Sequence, residues 1–269
     1  MHRLGLAVNC QTIRKNKGFC MAGPMHQFEI ATLKPLELAG YDASFTNSSL
    51  WMAIAIGVIG VFMFVGTARP QLVPGRWQAA VEYVYDFVRN MLDENVGPEG
   101  RRYAPLIFAI FMFVLICNLL GLLPWVGAFT PTSHISVTLG LAFLVFTVVC
   151  IVGFWRHGLH FFSLFWPKDT NIALGLFVFL IEVLSFLSRP FTLAIRLFAN
   201  MTAGHVLLKV FGTFVVTLGS FGALPYVFGV LPLAVNVALT ALELLIAVVQ
   251  AYVFALLASL YLNDAVNLH

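Results

Sequence analysis

The sequence predicts an all-α polytopic membrane protein. Of the 269 residues, 60% are hydrophobic and 10% are charged, and the mean hydropathy is +0.92. An ordinary soluble domain has roughly 25% charged residues, so this composition excludes a soluble enzyme, a disordered protein and a secreted disulfide scaffold. The apolar stretches are continuous, whereas the strands of a membrane β-barrel alternate polar and apolar residues. We expect about five membrane-embedded helices, one amphipathic surface helix and a final hairpin of two long tilted helices.

Residues 1–49 form an N-terminal segment without a long apolar run, and we assign no role to its first part, residues 1–24. A single membrane domain is expected over 50–262, followed by a C-terminal tail at 263–269. Its first span is 50–68, which carries no charge and is long enough to cross about 30 Å of hydrocarbon. The sequence Arg69-Pro70 ends this span.

An amphipathic helix is predicted at 77–96. Val81, Val84, Val88 and Leu92 recur there at helical spacing, with acidic and basic residues between them. A helix with one apolar and one charged face is typical of the membrane surface.

Four more membrane helices follow. Two ordinary spans are predicted at 104–126 and 135–154, joined by a short uncharged link. Two longer apolar stretches, 171–218 and 226–262, each exceed the roughly 20 residues that a perpendicular helix needs, so we expect a hairpin of tilted helices. Basic residues concentrate in the links after the first and third spans, which places those links on the cytoplasmic or matrix side and the N-terminus outside.

Polar residues form one stripe on each of the two long helices. Seven residues advance a helix by about 700°, close to two full turns, so residues spaced by seven share a face. The first stripe contains Glu182, Arg189 and Arg196, extended by Ser185, Thr192 and Asn200; the second contains Asn236, Glu243 and Gln250. Two facing polar stripes in apolar helices predict a polar path through the membrane.

Arg196 is the most informative of these residues. Burying an arginine in mid-membrane costs from about 3 to more than 10 kcal/mol, and its guanidinium does not lose its proton. A functional role is therefore expected for Arg196, whereas Arg189 has the simpler alternative of reaching the aqueous side with its long stem.

His205 points away from Arg196, because it follows nine positions later, which turns a helix by about 900° and advances it by about 13 Å. Its imidazole titrates near neutral pH. A pair of His205 with Glu243 across the hairpin has two interpretations at this point, a proton relay or a structural hydrogen-bonded pair.

The stretch 196–205, Arg-Leu-Phe-Ala-Asn-Met-Thr-Ala-Gly-His, resembles the signature of subunit a of the F-type ATP synthases. Its Arg-Leu-Phe-x-Asn-Met core is highly specific. The similarity continues in 117–124, 134–139, 180–190 and 242–252, and covers most of the chain after about residue 50.

The resemblance implies a role for each matching position. Arg196 corresponds to the essential arginine that faces the carboxylate of the rotating c-ring, and Asn200 to the signature asparagine. His205 and Glu243 correspond to interacting positions of the half-channel open to the outside. The remaining matches are Glu182 with nearby Arg189 at the inner half-channel, Gln250 and Asn236 on the second long helix, and Asn118 and His134 near the outer half-channel.

The implied function is that of a proton-channel stator subunit, in which two offset half-channels pass protons to and from the c-ring. The implied partners are the c-ring, b-type subunits of the peripheral stalk, indirectly the catalytic head, and membrane lipids. The implied location is an energy-transducing membrane, a bacterial inner membrane or alternatively a mitochondrial one.

We expect no catalytic site, cofactor, metal or nucleic-acid partner. The sequence contains neither a GxxxxGK[ST] nucleotide motif nor an HExxH zinc motif, and its four cysteines form no CxxC pair. ATP chemistry therefore belongs to other subunits.

Two other functions stay open at this point. An ion-coupled secondary transporter would usually show two related halves with broken helices, and this sequence shows no such repeat. A non-conducting structural membrane subunit would not require an arginine, a histidine and a carboxylate within apolar helices.

Overall fold

The computed structural model describes residues 32–34, 37–38, 41–42, 44–68, 70–123, 130–158, 172–219 and 223–267. The helices in this part of the chain are α1 (Asn47–Thr67), α2 (Arg76–Val96), α3 (Ala104–Gly121), α4 (Ile135–His157), α5 (Ile172–Gly219) and α6 (Ala223–Val266). Two 3₁₀ segments, Pro98–Tyr103 and Pro131–Ser133, precede α3 and α4. Five helices are long and apolar enough to cross a membrane, and α2 is the exception, so the helical membrane fold is confirmed.

Short strands precede α1, an addition to the predicted all-helical fold. Strand β1 (Thr32–Lys34) pairs antiparallel with β4 (Phe45–Thr46), and β2 (Glu37–Leu38) pairs antiparallel with β3 (Tyr41–Asp42). The side-chain hydroxyl of Thr46 then accepts a hydrogen bond from the Ser49 amide at 3.4 Å. This N-cap starts α1 at Asn47, before the predicted residue 50.

The amphipathic helix α2 buries its apolar stripe, including Val81, Val88 and Leu92, and leaves its charged face exposed. A glycine on α1 allows the two helices to approach closely. A Cβ at Gly66 would lie 2.4 Å from Val81 Cγ2, a distance that real Cβ atoms do not tolerate.

Other helix ends also differ from the predicted ones. Helix α6 begins at Ala223 instead of residue 226 and ends at Val266, within the predicted tail 263–269. Helix α3 ends at Gly121 instead of residue 126, because Pro124 disfavours helical backbone in the residue before it. Residues 124–129 themselves lie outside the described part of the chain. Helix α4 continues past the predicted residue 154 to His157, and Gly158 ends it with a φ of +56°.

The core of the bundle lies where α3 packs against the hairpin of α5 and α6. Helix α6 presents a row of small side chains to its neighbours, Ala247, Ala251, Ala255 and Ala258, all fully buried. Small residues at this spacing let membrane helices pack with their backbones close together. The row therefore explains why α6 contacts α2, α3, α4 and α5 at once.

The final hairpin is confirmed as two unusually long helices. Helix α5 has 48 residues and α6 has 44, and each continues through one internal proline, Pro190 or Pro232. At about 1.5 Å per residue, each is more than twice as long as the roughly 30 Å hydrocarbon core. The turn between them includes residues 220–222, which lie outside the described residues.

Candidate ion-path residues of the long hairpin

The polar stripes of α5 and α6 meet in pairs because the two helices run antiparallel. Asn200 Nδ2 donates a hydrogen bond to Gln250 Oε1 at 2.7 Å. On one side of this pair, His205 Nδ1 lies 3.3 Å from Glu243 Oε1. On the other side, Arg189 Nη1 lies 2.5 Å from Asp264 Oδ2. Three polar contacts thus follow one another along the hairpin.

The His205–Glu243 pair is deeply buried. The exposed fractions of the two residues are 5% and 3%. Their 3.3 Å contact is close enough for an electrostatic interaction, but neither Glu243 oxygen has an aligned hydrogen bond with the described residues. A buried carboxylate without aligned donors is costly, so contact with water or with a further hydrogen-bond donor is favourable for Glu243.

Gly204 makes the space that this pair needs. A Cβ at position 204 would lie 2.8 Å from Glu243 Oε1 and 3.0 Å from its Cδ. Any larger residue would displace the carboxylate from α5. The glycine of the signature is therefore explained by the close approach of the Glu243 side chain.

The link between α3 and α4 contributes buried hydroxyl groups to the same place. Thr130 Oγ1 shares a hydrogen bond with His205 Nε2 at 2.8 Å. Thr132 Oγ1 donates to Asn118 Oδ1 at 2.8 Å, and Asn118 Nδ2 donates to the α6 carbonyl oxygen of Ala247 at 3.3 Å. With Ser133, which is also buried, these residues form what we call the link cluster: Asn118, Thr130, Thr132, Ser133, His205 and Glu243.

The sequence did not single out Thr130, Thr132 or Ser133. Their only signal is the dense run of hydroxyl residues within an otherwise apolar link. The link folds onto the bundle because Gly121 leaves room for it; a Cβ at Gly121 would lie 2.3 Å from Thr130 Oγ1. Three hydroxyl residues thus complete a site for which sequence predicted only Asn118, His205 and Glu243.

His134 directly follows this 3₁₀ segment and is the N-cap residue of α4. It lies just outside the helical span. Burial lowers the pKa of the His134 imidazole below its ordinary value, because a charged ring is disfavoured away from water. The neutral form is therefore favoured at neutral pH.

The α6 stripe carries further polar atoms that are buried without a protein partner. Among the described residues, Asn236 Oδ1 and Gln250 Nε2 have no hydrogen bond. Asn236 lies beyond Glu243 towards the hairpin turn, and Gln250 lies towards the other end of α6. Since native proteins rarely leave such atoms unsatisfied, these positions favour contact with water or with another subunit.

Arg196 is exposed on the surface of the chain, within the long apolar helix where the sequence placed it. No described residue forms an ion pair with it. The side chains around it on α5 include Phe191 and Ile195, with exposed fractions of 42% and 52%. Arg196 therefore lies on an exposed, mostly apolar face of α5.

The other predicted residues of α5 have separate surroundings. Asn200 lies near Arg196 and joins α6 through Gln250, as described above. Thr192 is exposed, and its hydroxyl donates to the Arg189 carbonyl oxygen of its own helix at 2.9 Å. Glu182 is half-buried near the start of α5. Among the described residues, no hydrogen bond or ion pair joins Thr192 or Glu182 to the link cluster.

Arg189 is held in place by α6 and by two aromatic rings. Its guanidinium carbon lies 5.3 Å from the Phe186 ring centroid and 5.1 Å from that of Tyr261. Together with the Asp264 ion pair, these cation–π contacts fix the side chain on the hairpin. Sequence reasoning missed Asp264 as a site residue, although it continues the seven-residue spacing of Asn236, Glu243 and Gln250.

The sequence matches known proteins over most of its length. The family described as "ATP synthase A chain" matches residues 49–263. "ATP synthase subunit a" of Mesorhizobium japonicum is 53% identical over 244 residues, covering 91% of this chain and 96% of the relative. The protein of the same name from Sphingopyxis alaskensis is 52% identical over 255 residues, with coverages of 91% and 97%. That of Rhodospirillum rubrum is 49% identical over 249 residues, with coverages of 93% and 100%.

Proposed function

This chain belongs to the ATP synthase A chain family, and on that premise we propose that it carries protons to and from the rotating c-ring of an F-type ATP synthase. It is a multi-pass membrane protein of the ATP synthase complex. The observation that best supports the proposed path is the position of Arg196. It is exposed on α5, between the Arg189–Asp264 contact towards one end of the helix and the His205–Glu243 contact towards the other.

The first half of the path is the link cluster. Protons enter from the side of the α3–α4 link, where Thr130, Thr132 and Ser133 are buried against His205 and Asn118. Hydroxyl and imidazole groups both donate and accept hydrogen bonds, so they suit proton transfer. Glu243, buried with no aligned donor, is the acceptor from which a proton passes to the ring.

The ring carboxylate is the partner of Arg196. Once it takes up a proton it becomes neutral, and a neutral carboxyl group enters lipid at far lower cost than a carboxylate. After nearly a full rotation it returns to Arg196 from the other side. A nearby positive charge favours the ionised carboxylate, so Arg196 promotes proton release there, while its own fixed charge blocks a direct leak.

The second half of the path lies at the Arg189 end of the hairpin. Glu182 on α5 and the Arg189–Asp264 pair supply polar groups there. The free energy of transfer comes from the transmembrane potential, about 2.3 kcal/mol per charge per 100 mV. No step in this path involves ATP, which is consistent with catalysis in other subunits.

The location and partners follow from this role. The basic links face the cytoplasm and the α3–α4 link faces outward. The relatives are bacterial, which favours a bacterial inner membrane. The c-ring covers the Arg196 face, and b-type subunits of the peripheral stalk, which reaches the catalytic head, hold the chain against rotation.

The test compares wild type with Arg196→Ala in inverted membrane vesicles. ATP-driven acidification and passive proton leak are followed with a pH-sensitive dye, and assembly is followed by co-purification with the rotor and head. We expect assembly with loss of pumping. Arg101→Ala is the control, since Arg101 is an exposed arginine far along the chain from the hairpin. Normal pumping by assembled Arg196→Ala would instead identify a structural subunit.

A further inference from the structure

A second site lies at the end of α4, away from the ion-path residues. A cavity of about 650 Å³ separates the 3₁₀ segment Pro98–Tyr103 from the C-terminal turn of α4. Its walls include two arginines, two aromatic residues and one carboxylate: Arg102, Arg156, Tyr103, Trp155 and Glu99. This combination of guanidinium groups and aromatic rings suggests a bound anion at the membrane surface.

The charge of this cavity is positive. Arg156 and Glu99 form an ion pair across it. Arg102 is exposed and forms no ion pair with the residues that the structure describes. Two arginines against one glutamate leave a formal charge of +1. A guanidinium binds phosphate oxygens through two parallel hydrogen bonds, so Arg102 is the side chain that would hold a phosphate group.

An apolar groove continues from the cavity along α4. It has a volume of about 510 Å³ and is lined by residues that include Phe146, Ile151 and Phe154. Trp155 borders both the groove and the cavity, and its own exposed fraction is 90%. A positively charged pocket and an apolar groove therefore meet at one tryptophan, at the end of a membrane helix.

We propose that the cavity and the groove together bind one anionic glycerophospholipid. Its phosphodiester pairs with Arg102 in the cavity, and an acyl chain lies in the groove beside Ile151 and Phe154. Trp155 and Tyr103 occupy the interfacial level that these side chains prefer in membranes. Basic pockets between membrane helices on the cytoplasmic side are suited to anionic head groups.

The charge favours an anionic lipid over a zwitterionic one. Glu99 is already neutralised by Arg156, so no carboxylate remains for the ammonium group of a zwitterionic head. A soluble phosphate would use only the cavity and leave the groove without a role. A helix of another subunit would cover the groove but would not need the positive charge of Arg102.

The experiment uses the assembled complex, extracted in mild detergent and incubated with a phosphatidylglycerol that bears a photoreactive acyl chain. Cross-linked peptides are mapped by mass spectrometry. We expect labelling of the α4 peptide that contains Ile151 and Phe154. Unlabelled phosphatidylglycerol should compete for this labelling, whereas phosphatidylcholine and inorganic phosphate should not.

Arg102→Gln should weaken this labelling by about tenfold, because the neutral amide can replace only one of the two charge-assisted hydrogen bonds of the guanidinium. Arg101→Gln is the matched control and should label like wild type, because Arg101 donates to Asp93 at 3.0 Å and does not line the cavity. If Arg102→Gln fails to assemble, Trp155→Ser provides the same test at an exposed residue and should reduce labelling severalfold.

Three results would overturn the proposal. Equal labelling of wild type and Arg102→Gln would mean that lipid lies along α4 without a head-group site. Competition by inorganic phosphate as strong as by the lipid would indicate a soluble-anion site. Cross-linking of the same α4 peptide to another subunit, with no lipid adduct, would show that a protein helix covers the groove. None of these results bears on proton conduction, because the site shares no residue with the ion path.

Discussion

The two polar ends of the α5–α6 hairpin are built differently. At the His205 end, hydroxyl and amide groups from α3 and from the α3–α4 link close over the pair, and His205 is only 5% exposed. At the Arg189 end, α6 supplies a single carboxylate, and the Arg189 and Asp264 side chains remain 22% and 37% exposed. Arg196 lies between the two ends and is exposed.

This difference shows which part of the path the chain completes by itself. The link cluster is closed by hydrogen bonds between residues of this chain. Under the proposed function, the c-ring covers the face that bears Arg196, since a guanidinium without a counter-charge is costly to expose to lipid. Changes in the link cluster should therefore act through its internal geometry, and changes on the open face should act through the contact with the partner.

The same substitution at each end tests this comparison most strongly. Glu243→Gln should lower ATP-driven proton pumping by about a hundredfold, the lower range of what a positioned proton-transfer group contributes. Glu182→Gln should lower the pumping rate only severalfold, because Glu182 is half-buried and water can replace its carboxylate. Pumping is measured in inverted vesicles with equal amounts of assembled complex. An equal or larger loss from Glu182→Gln would break the proposed difference between the ends.

The close approach of Gly204 to Glu243 gives the next largest effect. Gly204→Ala would place a Cβ 2.8 Å from Glu243 Oε1, so the carboxylate must move away from His205. We expect a strain of about 1–3 kcal/mol and a pumping rate reduced by roughly tenfold or more. Gly212→Ala on the same helix is the control, because its Cβ would meet no atom within 4 Å. Similar rates for both variants would mean that the Glu243 position does not limit transfer.

The thermal stability of variants should also distinguish the link cluster from the exposed face of α5. Thr132→Val removes the hydrogen bond to Asn118 within the link cluster and leaves a buried amide oxygen unsatisfied, at a cost of about 1–3 kcal/mol. Thr192→Val removes a bond from an exposed hydroxyl to its own helix and should cost almost nothing. The thermal midpoint of the detergent-extracted complex measures both. A drop of the midpoint with Thr192→Val alone would contradict the assignment of the closed region.

The smallest effect is expected at the open end. Asp264→Asn removes a partly exposed ion pair, for which a contribution of about 0.2–1 kcal/mol is typical. Pumping should fall by no more than about fivefold, because Arg189 keeps its contacts with Phe186 and Tyr261. Asp264→Glu retains the charge and should restore most of the rate. Complete loss of pumping with Asp264→Asn would show that this carboxylate carries protons itself.

The membrane helices could be predicted from the sequence because each apolar run is long and nearly free of charged residues. It was also sufficient to propose that Glu243 faces His205, since one histidine and one carboxylate lie on facing helices. It did not reveal Thr130 or Thr132, because hydroxyl residues in a short link have no periodicity that indicates which helix they will contact. That contact depends on the space at Gly121, which only the packed structure shows.

The spacing of the α5 stripe did not by itself show that Arg196 is exposed. A seven-residue spacing shows that Glu182, Arg189 and Arg196 share one face, but not whether α6 covers that face. The structure shows Arg189 paired with Asp264 of α6, whereas Arg196 is exposed. Only the shape of the assembled bundle decides this.

The continuity of α6 links the depths of its polar residues. Helix α6 runs as one continuous helix from Ala223 to Val266. Glu243 and Asp264 are 21 positions apart on it, which is about 32 Å along the helix axis. Their separation along the membrane normal depends on the tilt of α6. The tilt angle of α6 therefore sets the depths of both Glu243 and Asp264 in the bilayer. A bilayer of different thickness that changes this tilt would shift both residues together.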